Sequence, residues 1–395
     1  MVLLHKILTI SKYERKTLLR SWFFRIFSVI SLLLLFVMNL VFIIKGGGDT
    51  GWAIRSISAA IPYSNLLILN LTQAICAVFL ASDFLKRDKN LDTTDVVYTR
   101  SITNGEYIIG KIWGNLQVFL LLNIAALIMA LIFNLLSPET TINWPAYIIY
   151  LILISFPTLV FIMGLSFLLM SIIRNQAITF IIIFGYISIT LFFLQDKYYY
   201  IFDYMTFNIP MIISDIAGMG NFNRVLIHRG IYFSFGISFV FFTIVIFNRL
   251  QQSKIIIIFS LIFAIISFMA GCLLGYQHIA RFKINANLRN DAITLNNTYV
   301  KELLPATLSH TIFLTHRKNS LEASSKITLE NDNDKSLQKL IFSMNRGLEI
   351  KSFKIEGEKR DTKVFNYKLL VAINNLDFHY QFRFFRRIYS LCLLY

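Results

Sequence analysis

Gly105-Glu106-Tyr107-Ile108-Ile109-Gly110-Lys111 has the G-x-x-x-x-G-K spacing of a phosphate-binding loop. In such a loop, glycine backbone and a lysine cradle a nucleotide's phosphates. The chemistry also needs a Ser or Thr next, to hold magnesium, and a buried strand before the loop. Here Ile112 follows, and the stretch leads straight into a long apolar run, so ATP hydrolysis by this route is excluded. Six histidines (His5, His228, His278, His310, His316, His379) are scattered without ligand spacing, and neither H-E-x-x-H nor G-x-S-x-G occurs. Cys76, Cys272 and Cys392 show no metal or disulfide pattern, and the first two fall in apolar runs as small hydrophobes. The chain is expected not to be an enzyme and to hold no cofactor or metal of its own.

Two other sets of residues could carry function. Uncharged polar side chains interrupt the apolar runs: Asn39, Asn70, Thr72, Gln73, Asn115, Gln117 and Asn123. Interhelical hydrogen bonding is the plain reading of these. A polar substrate path through Asn70, Gln73, Asn115 and Gln117 is the sharper one. The second set is the segment 83–108, with Asp83, Lys86, Arg87, Asp88, Lys89, Asp92, Asp95, Arg100 and Glu106. Leu91, Val96, Val97 and Ile102 lie between the charges, as in a short amphipathic helix. A solvated linker has no need of that apolar set; a docking element does.

These residues are positioned by seven apolar runs, near 22–44, 60–82, 109–135, 147–172, 177–195, 230–248 and 255–275. Each is long enough to cross roughly 30 Å of hydrocarbon as a helix. The expected architecture is an all-α polytopic membrane domain followed by a partial antiparallel β domain. Half of the 60 charged residues fall in the last 119 positions, which sets the boundary near Tyr276. The expected divisions are an amphipathic helix (1–21), a membrane domain (22–275), a β-rich segment (276–374) and an irregular tail (375–395). With the N-terminus inside, the inner segments hold 13 Lys and Arg against 5 in the outer loops, which orients the chain N-in and C-out. The net charge of +16 divides equally between the two parts with no dense basic cluster before the last few residues, so nucleic acid is not the expected partner. The span cores contain almost no acid or base, unlike a carrier driven by an ion gradient.

Along the chain, residues 3–21 place Leu4, Ile7, Leu8 and Ile10 near one helical face, with Lys6, Lys12, Arg15, Lys16 and Arg20 over the rest. Such a helix lies along the inner headgroup layer. No cleavage site follows the first span, so it is expected to stay as an anchor. Pro62 suits a first helical turn, Pro157 predicts a kink in the fourth span, and Arg174-Asn175-Gln176 makes a tight turn. Tyr198-Tyr199-Tyr200 reads as an aromatic interface belt, and 207–222 as a short re-entrant or surface helix. Beyond Tyr276, Leu321, Ala323, Ser325, Ile327 and Leu329 alternate as a half-buried strand, with further strands at 338–343, 348–355 and 364–373. The tail 375–395, with Arg383, Arg386, Arg387 and clustered aromatics, reads as an edge strand with a disordered end or as the cut end of a longer chain.

The N-terminal amphipathic helix, the first pair of spans and the inner stretch ending TRSITNGEYIIGKIWG together resemble the permeases of type-2 ABC exporters. The family pattern falls on Asp83, Arg87, Asp88, Asp92, Thr99, Ser101, Gly110 and Lys111. The resemblance implies that 83–105, Arg100 included, holds a coupling helix resting on a separate ATPase subunit, where ATP and magnesium would bind. It also implies that 3–21 is a connecting helix, and that two permeases pair as a homodimer or heterodimer in a bacterial inner membrane. A seventh span and an outer C-terminal segment depart from the usual six. They are similar to a bacterial subset fused to an external zinc aminopeptidase, and 320–358 is similar to that peptidase's N-terminal β-domain. The zinc-binding module is missing, so the peptidase activity is not expected and the chain looks truncated before it.

Overall fold

A computed structural model describes residues 2–44, 58–82, 102–136, 142–194, 196–209, 211–214, 218–219, 222–247 and 254–317. Beyond these it describes 320–333, 339–343, 349–355, 358–359, 363–365, 368–372 and 378–387. The coupling-loop residues Asp83, Arg87, Asp88, Asp92 and Arg100 lie outside the described residues, as do Thr99 and Ser101. Two compact units divide at Ala280 and Arg281.

The first unit is helical. Helix α1 (Val2–Arg20) ends at Ser21, and α2 (Trp22–Ile44) starts afresh, with Arg25 Nε donating to the freed Leu19 carbonyl at 2.9 Å. Next come α3 (Ala60–Ser82), α4 (Asn104–Leu136), α5 (Trp144–Ile173), α6 (Gln176–Leu194), α7 (Phe222–Ile246) and α8 (Lys254–Tyr299). Helices α2 to α8 are seven that are long and apolar enough to cross a membrane. Caps fix several starts. Asn143 accepts from Ala146 N ahead of α5, and Asn175 accepts from Ala177 N and Ile178 N ahead of α6. The turn between these two helices closes with Arg174 in the left-handed region (φ 56°).

Burial sorts the helices. The most apolar window is 61% buried in α3 and 67% in α5, against 22% in α2 and α6 and 17% in α8. So α3 and α5 form the centre, while α2, α6 and α8 present apolar side chains outward, the arrangement that hydrocarbon solvates well. Helices α5 and α7 cross where Gly164 and Gly236 meet. A Cβ on Gly164 would lie 2.5 Å from the Gly236 carbonyl oxygen, so only glycine allows this approach.

Four features add to or differ from what the sequence leads one to expect. The sixth span begins at Phe222, not 230, so Arg224, His228 and Arg229 are helical rather than in a loop. Pro157 is preceded by a π-helical turn, Leu151–Ser155. The described part of 207–222 before α7 is not helical; it carries buried Ile209, Met211 and Ile213 and an isolated bridge between Ser214 and Gly218. The last helix also runs 24 residues past the expected end at 275, so that its residues after Ala280 belong to the second unit. Its extension is polar enough to look like a strand-bearing aqueous segment, yet no proline or glycine stops it after Gly275.

The second unit contains two antiparallel sheets. One has the order β1 (Ala306–Arg317), β2 (Ser320–Glu330), β8 (Phe378–Arg387), β4 (Glu349–Ile355), β5 (Glu358–Lys359). The other has β3 (Lys339–Ser343), β7 (Lys368–Ala372), β6 (Lys363–Phe365). In β2, Ala323, Ser325 and Leu329 are buried, as the alternation requires. The run 364–373 is split between β6 and β7. Strand β1 was not foreseen, because Ile312-Phe313-Leu314 breaks the period of two. The tail expected to be irregular supplies β8, which pairs with β2 on one side and β4 on the other, inside the sheet rather than at its edge. Aromatics crowd that segment and mask the alternation, while their preference for pleated backbone favours a strand.

Candidate functional site

Two buried polar clusters stand out in the helical unit. The first lies at the start of α4, directly after the charged segment 83–101. Thr103 and Glu106 form a reciprocal capping box: Thr103 N donates to Glu106 Oε2 at 2.8 Å, and Glu106 N to Thr103 Oγ1 at 3.2 Å. One turn later Lys111 meets Glu14 of α1 at 3.2 Å, with both side chains at most 7% exposed. Asn115 Nδ2 donates to the Lys111 carbonyl at 2.9 Å and reaches Glu14 Oε1 at 3.4 Å. Lys6 of α1 lies 3.8 Å from Glu106. The helices touch through Gly110 and Gly114. A Cβ on Gly114 would lie 2.6 Å from the Glu14 Cβ, and one on Gly110 would lie 2.8 Å from Ile10. The glycines and lysine of the phosphate-loop spacing thus serve helix packing and an ion pair, and the stretch is helical from Asn104 onward.

This contact turns α1 over relative to its apparent apolar face. Ser11, Glu14 and Leu18 are buried, while Leu4 and Leu8 are 62% and 49% exposed beside the basic residues. The exposed face keeps leucines next to Lys12, Lys16 and Arg20, the composition of a helix that rests on headgroups.

The second cluster centres on Arg229, in the second turn of α7 and 2% exposed. Pro157 has no N–H, so the Leu153 carbonyl one turn earlier lacks its helical donor. Arg229 Nε donates to it at 2.6 Å. Nη2 reaches the Ile154 carbonyl at 3.0 Å and Thr158 Oγ1 at 2.6 Å, and Nη1 reaches the Tyr204 carbonyl at 2.7 Å. From Thr158 the chain of bonds continues. Asn70 Nδ2 donates to Thr158 Oγ1 (3.1 Å), Gln73 Nε2 to Asn70 Oδ1 (3.0 Å), Asn123 Nδ2 to Gln73 Oε1 (2.7 Å) and Ser155 Oγ to Asn123 Oδ1 (2.6 Å). One network therefore links α3, α4, α5 and α7.

The four residues singled out as a polar path are divided between the clusters. Asn70 and Gln73 belong to the Arg229 network, and Asn115 belongs to the α1–α4 cluster. Gln117 is half-buried on α4 between them. Arg229, Thr158, Ser155 and Glu14 escaped the sequence reading. For Arg229 two signals were present: the helical spacing of Val225, Arg229 and Tyr232, and the orphan carbonyl that Pro157 demands.

No protein-family model and no curated protein matches this sequence. What the chain does must be argued from the two clusters.

Proposed function

We propose that this chain is the membrane subunit of an ATP-driven exporter in a bacterial inner membrane. Its N-terminus would be cytoplasmic and its C-terminal unit external, and it would work as a dimer with a separate ATPase docked on 83–105. The observation that carries this reading is the clamp between α1 and α4. A motor pressing on 83–101 pushes on the chain just ahead of the capped end of α4, and α1 is fastened to that end by paired glycines and the buried Glu14–Lys111 pair. Removing one member of such a pair costs about 3–5 kcal/mol, so the contact between the two helices is sensitive to substitution of either residue. The bilayer contact is supported by the outward apolar faces of α2, α6 and α8 and by the basic, leucine-bearing face of α1.

The test is copurification. Reversing charge at the docking segment, with Arg87→Glu and Asp88→Lys, should strip the ATPase from the purified chain while leaving its yield intact. Equal recovery of the ATPase would reject this assignment.

A second reading is favoured by one observation, the 46 unbroken residues of α8, which would suit a membrane anchor that presents a β-rich unit. Under that reading deletion of 277–395 abolishes function and substitutions in 83–105 are silent; under the exporter reading the charge reversal is the damaging change.

A further inference from the structure

The described residues of 199–213, between α6 and α7, are irregular backbone seated among helices. Tyr204, Met205, Thr206, Ile209, Met211 and Ile213 are each at most 6% exposed. Asn70, midway along α3, donates to the Met205 carbonyl at 3.2 Å, so the segment reaches the middle of the helical unit. Irregular backbone at such a depth persists only where protein groups satisfy its polar atoms. Here side chains do so: Tyr63 OH for the Ile209 carbonyl (3.4 Å), Tyr150 OH for Ile213 N (2.8 Å), and Tyr232 OH for the Ile201 carbonyl. His228 Nε2 lies 3.1 Å from the Tyr200 carbonyl and His278 Nε2 lies 2.9 Å from that of Tyr199.

Seating this wedge has costs. Tyr198, Tyr199, Tyr200 and Thr206 all adopt left-handed backbone, with φ between 50° and 65°. That region disfavours residues with a Cβ, and β-branched threonine most of all. The Tyr204 hydroxyl is buried with no hydrogen-bond partner among the described residues. Strain and an unsatisfied hydroxyl both favour withdrawal of the wedge. Against them stands the guanidinium of Arg229, which binds the Tyr204 carbonyl of the wedge and, on its other donors, the Leu153 and Ile154 carbonyls and Thr158 of α5. Withdrawal would free the strained backbone and hydrate the hydroxyl, and Arg229 would keep its contacts with α5. Withdrawal would also break the side-chain bonds named above and separate buried Asp203 of the wedge from Arg229, so Arg229 is one of several holds on the wedge.

We infer that Arg229 is the positioning residue of a gate: it latches the strained wedge 199–213 into the helical unit, and release of the Tyr204 carbonyl lets the wedge withdraw and admit water to the centre of the unit. This rests on the exporter reading only for its use; the latch itself requires no ATPase.

The experiment uses the full chain in membrane vesicles, with Cys76, Cys272 and Cys392 replaced by alanine and Met205→Cys as the reporter, labelled by a membrane-impermeant maleimide. With Arg229 intact, labelling is slow. Arg229→Gln raises the rate about tenfold or more, the change that loss of one charge-assisted hydrogen bond makes to a local opening equilibrium. Arg229→Lys restores part of the protection. A parallel chain keeping Cys76 as its single cysteine, buried on α3, reports the fold and stays unreactive in all variants. If Arg229→Gln does not accumulate, Thr158→Val takes its place, and the same rise is expected from loss of a hydroxyl 2.9 Å from the Tyr204 carbonyl. Unchanged labelling at 205, or equal rises at 205 and 76, would overturn the latch. If the latch holds but ATP leaves labelling at 205 unchanged in vesicles containing the copurifying ATPase, the exporter reading fails and the latch stands.

Discussion

At the base of α4 a buried cation faces a carboxylate; beside Pro157 another is held, among the described residues, by three carbonyls and a hydroxyl. The surroundings differ in the same sense. The α1–α4 contact joins two regular helices through glycines, with the ends capped. The Arg229 contact joins helices to irregular, left-handed backbone. Opposite charges in a dry contact make loss of either one expensive, because the remaining charge stays buried without its nearest opposite. The Arg229 guanidinium, hydrogen-bonded to neutral oxygens with the buried Asp203 carboxylate acting on it electrostatically, can give up the Tyr204 acceptor and keep its bonds to α5. The first cluster is suited to transmit force, the second to yield to it.

Substitutions can break this contrast, and the largest effect belongs to the clamp. Glu14→Ala removes the carboxylate 3.2 Å from the buried Lys111 ammonium, and thermal unfolding in detergent should show a loss of about 3–5 kcal/mol. The double change Glu14→Leu with Lys111→Met should recover most of that loss, since apolar replacements of a buried pair are often neutral. A double variant as unstable as the single one would show that the ion pair is not the source of the effect. Gly114→Leu should be of similar size, about 3 kcal/mol, because its side chain must displace α1. Release of α1 can be read by protease cleavage within residues 2–20.

Next in size is Arg229→Leu, which removes the side-chain donor to the Leu153 carbonyl and leaves the Tyr204 carbonyl only Thr158 Oγ1 as a donor among the described residues, at a cost of about 1–3 kcal/mol. The loss should be local: hydrogen exchange rises in 199–213 and hardly changes in α1 and α4. Equal rises in both regions would erase the distinction between them. Thr103→Ala removes the capping box and should cost about 1 kcal/mol, seen as fraying at the start of α4. Smallest is Pro157→Ala. It restores an N–H that competes for the Leu153 carbonyl, so overall stability should stay within about 1 kcal/mol while labelling at position 205 rises.

The seven apolar helices were legible in the sequence because length and apolar composition mark them together, and their starts at Trp22, Ala60 and Gln176 fall close to the apolar runs. The alternation in β2 was legible for the same kind of reason, a buried face of period two. Arg229 was hidden because hydropathy assigns a charge near a span end to a loop, and nothing in that measure registers the acceptors that Pro157 frees. Glu14 was hidden because its partner Lys111 is 97 positions away and was read as part of a phosphate loop. The capping box T-x-x-E at 103–106 could have been read directly, but Glu106 was absorbed into the charged segment. The wedge was beyond reach: its conformation depends on donors from α3, α5, α7 and α8, none of them local.

The most direct test of the whole account joins the two regions. In vesicles containing the chain and the ATPase proposed to copurify with it, the maleimide labels Met205→Cys with and without ATP. Force entering at the clamp and released at the wedge predicts faster labelling under ATP turnover, and loss of that acceleration in Glu14→Ala. Labelling indifferent to ATP, with the ATPase bound and Arg229 intact, would contradict it.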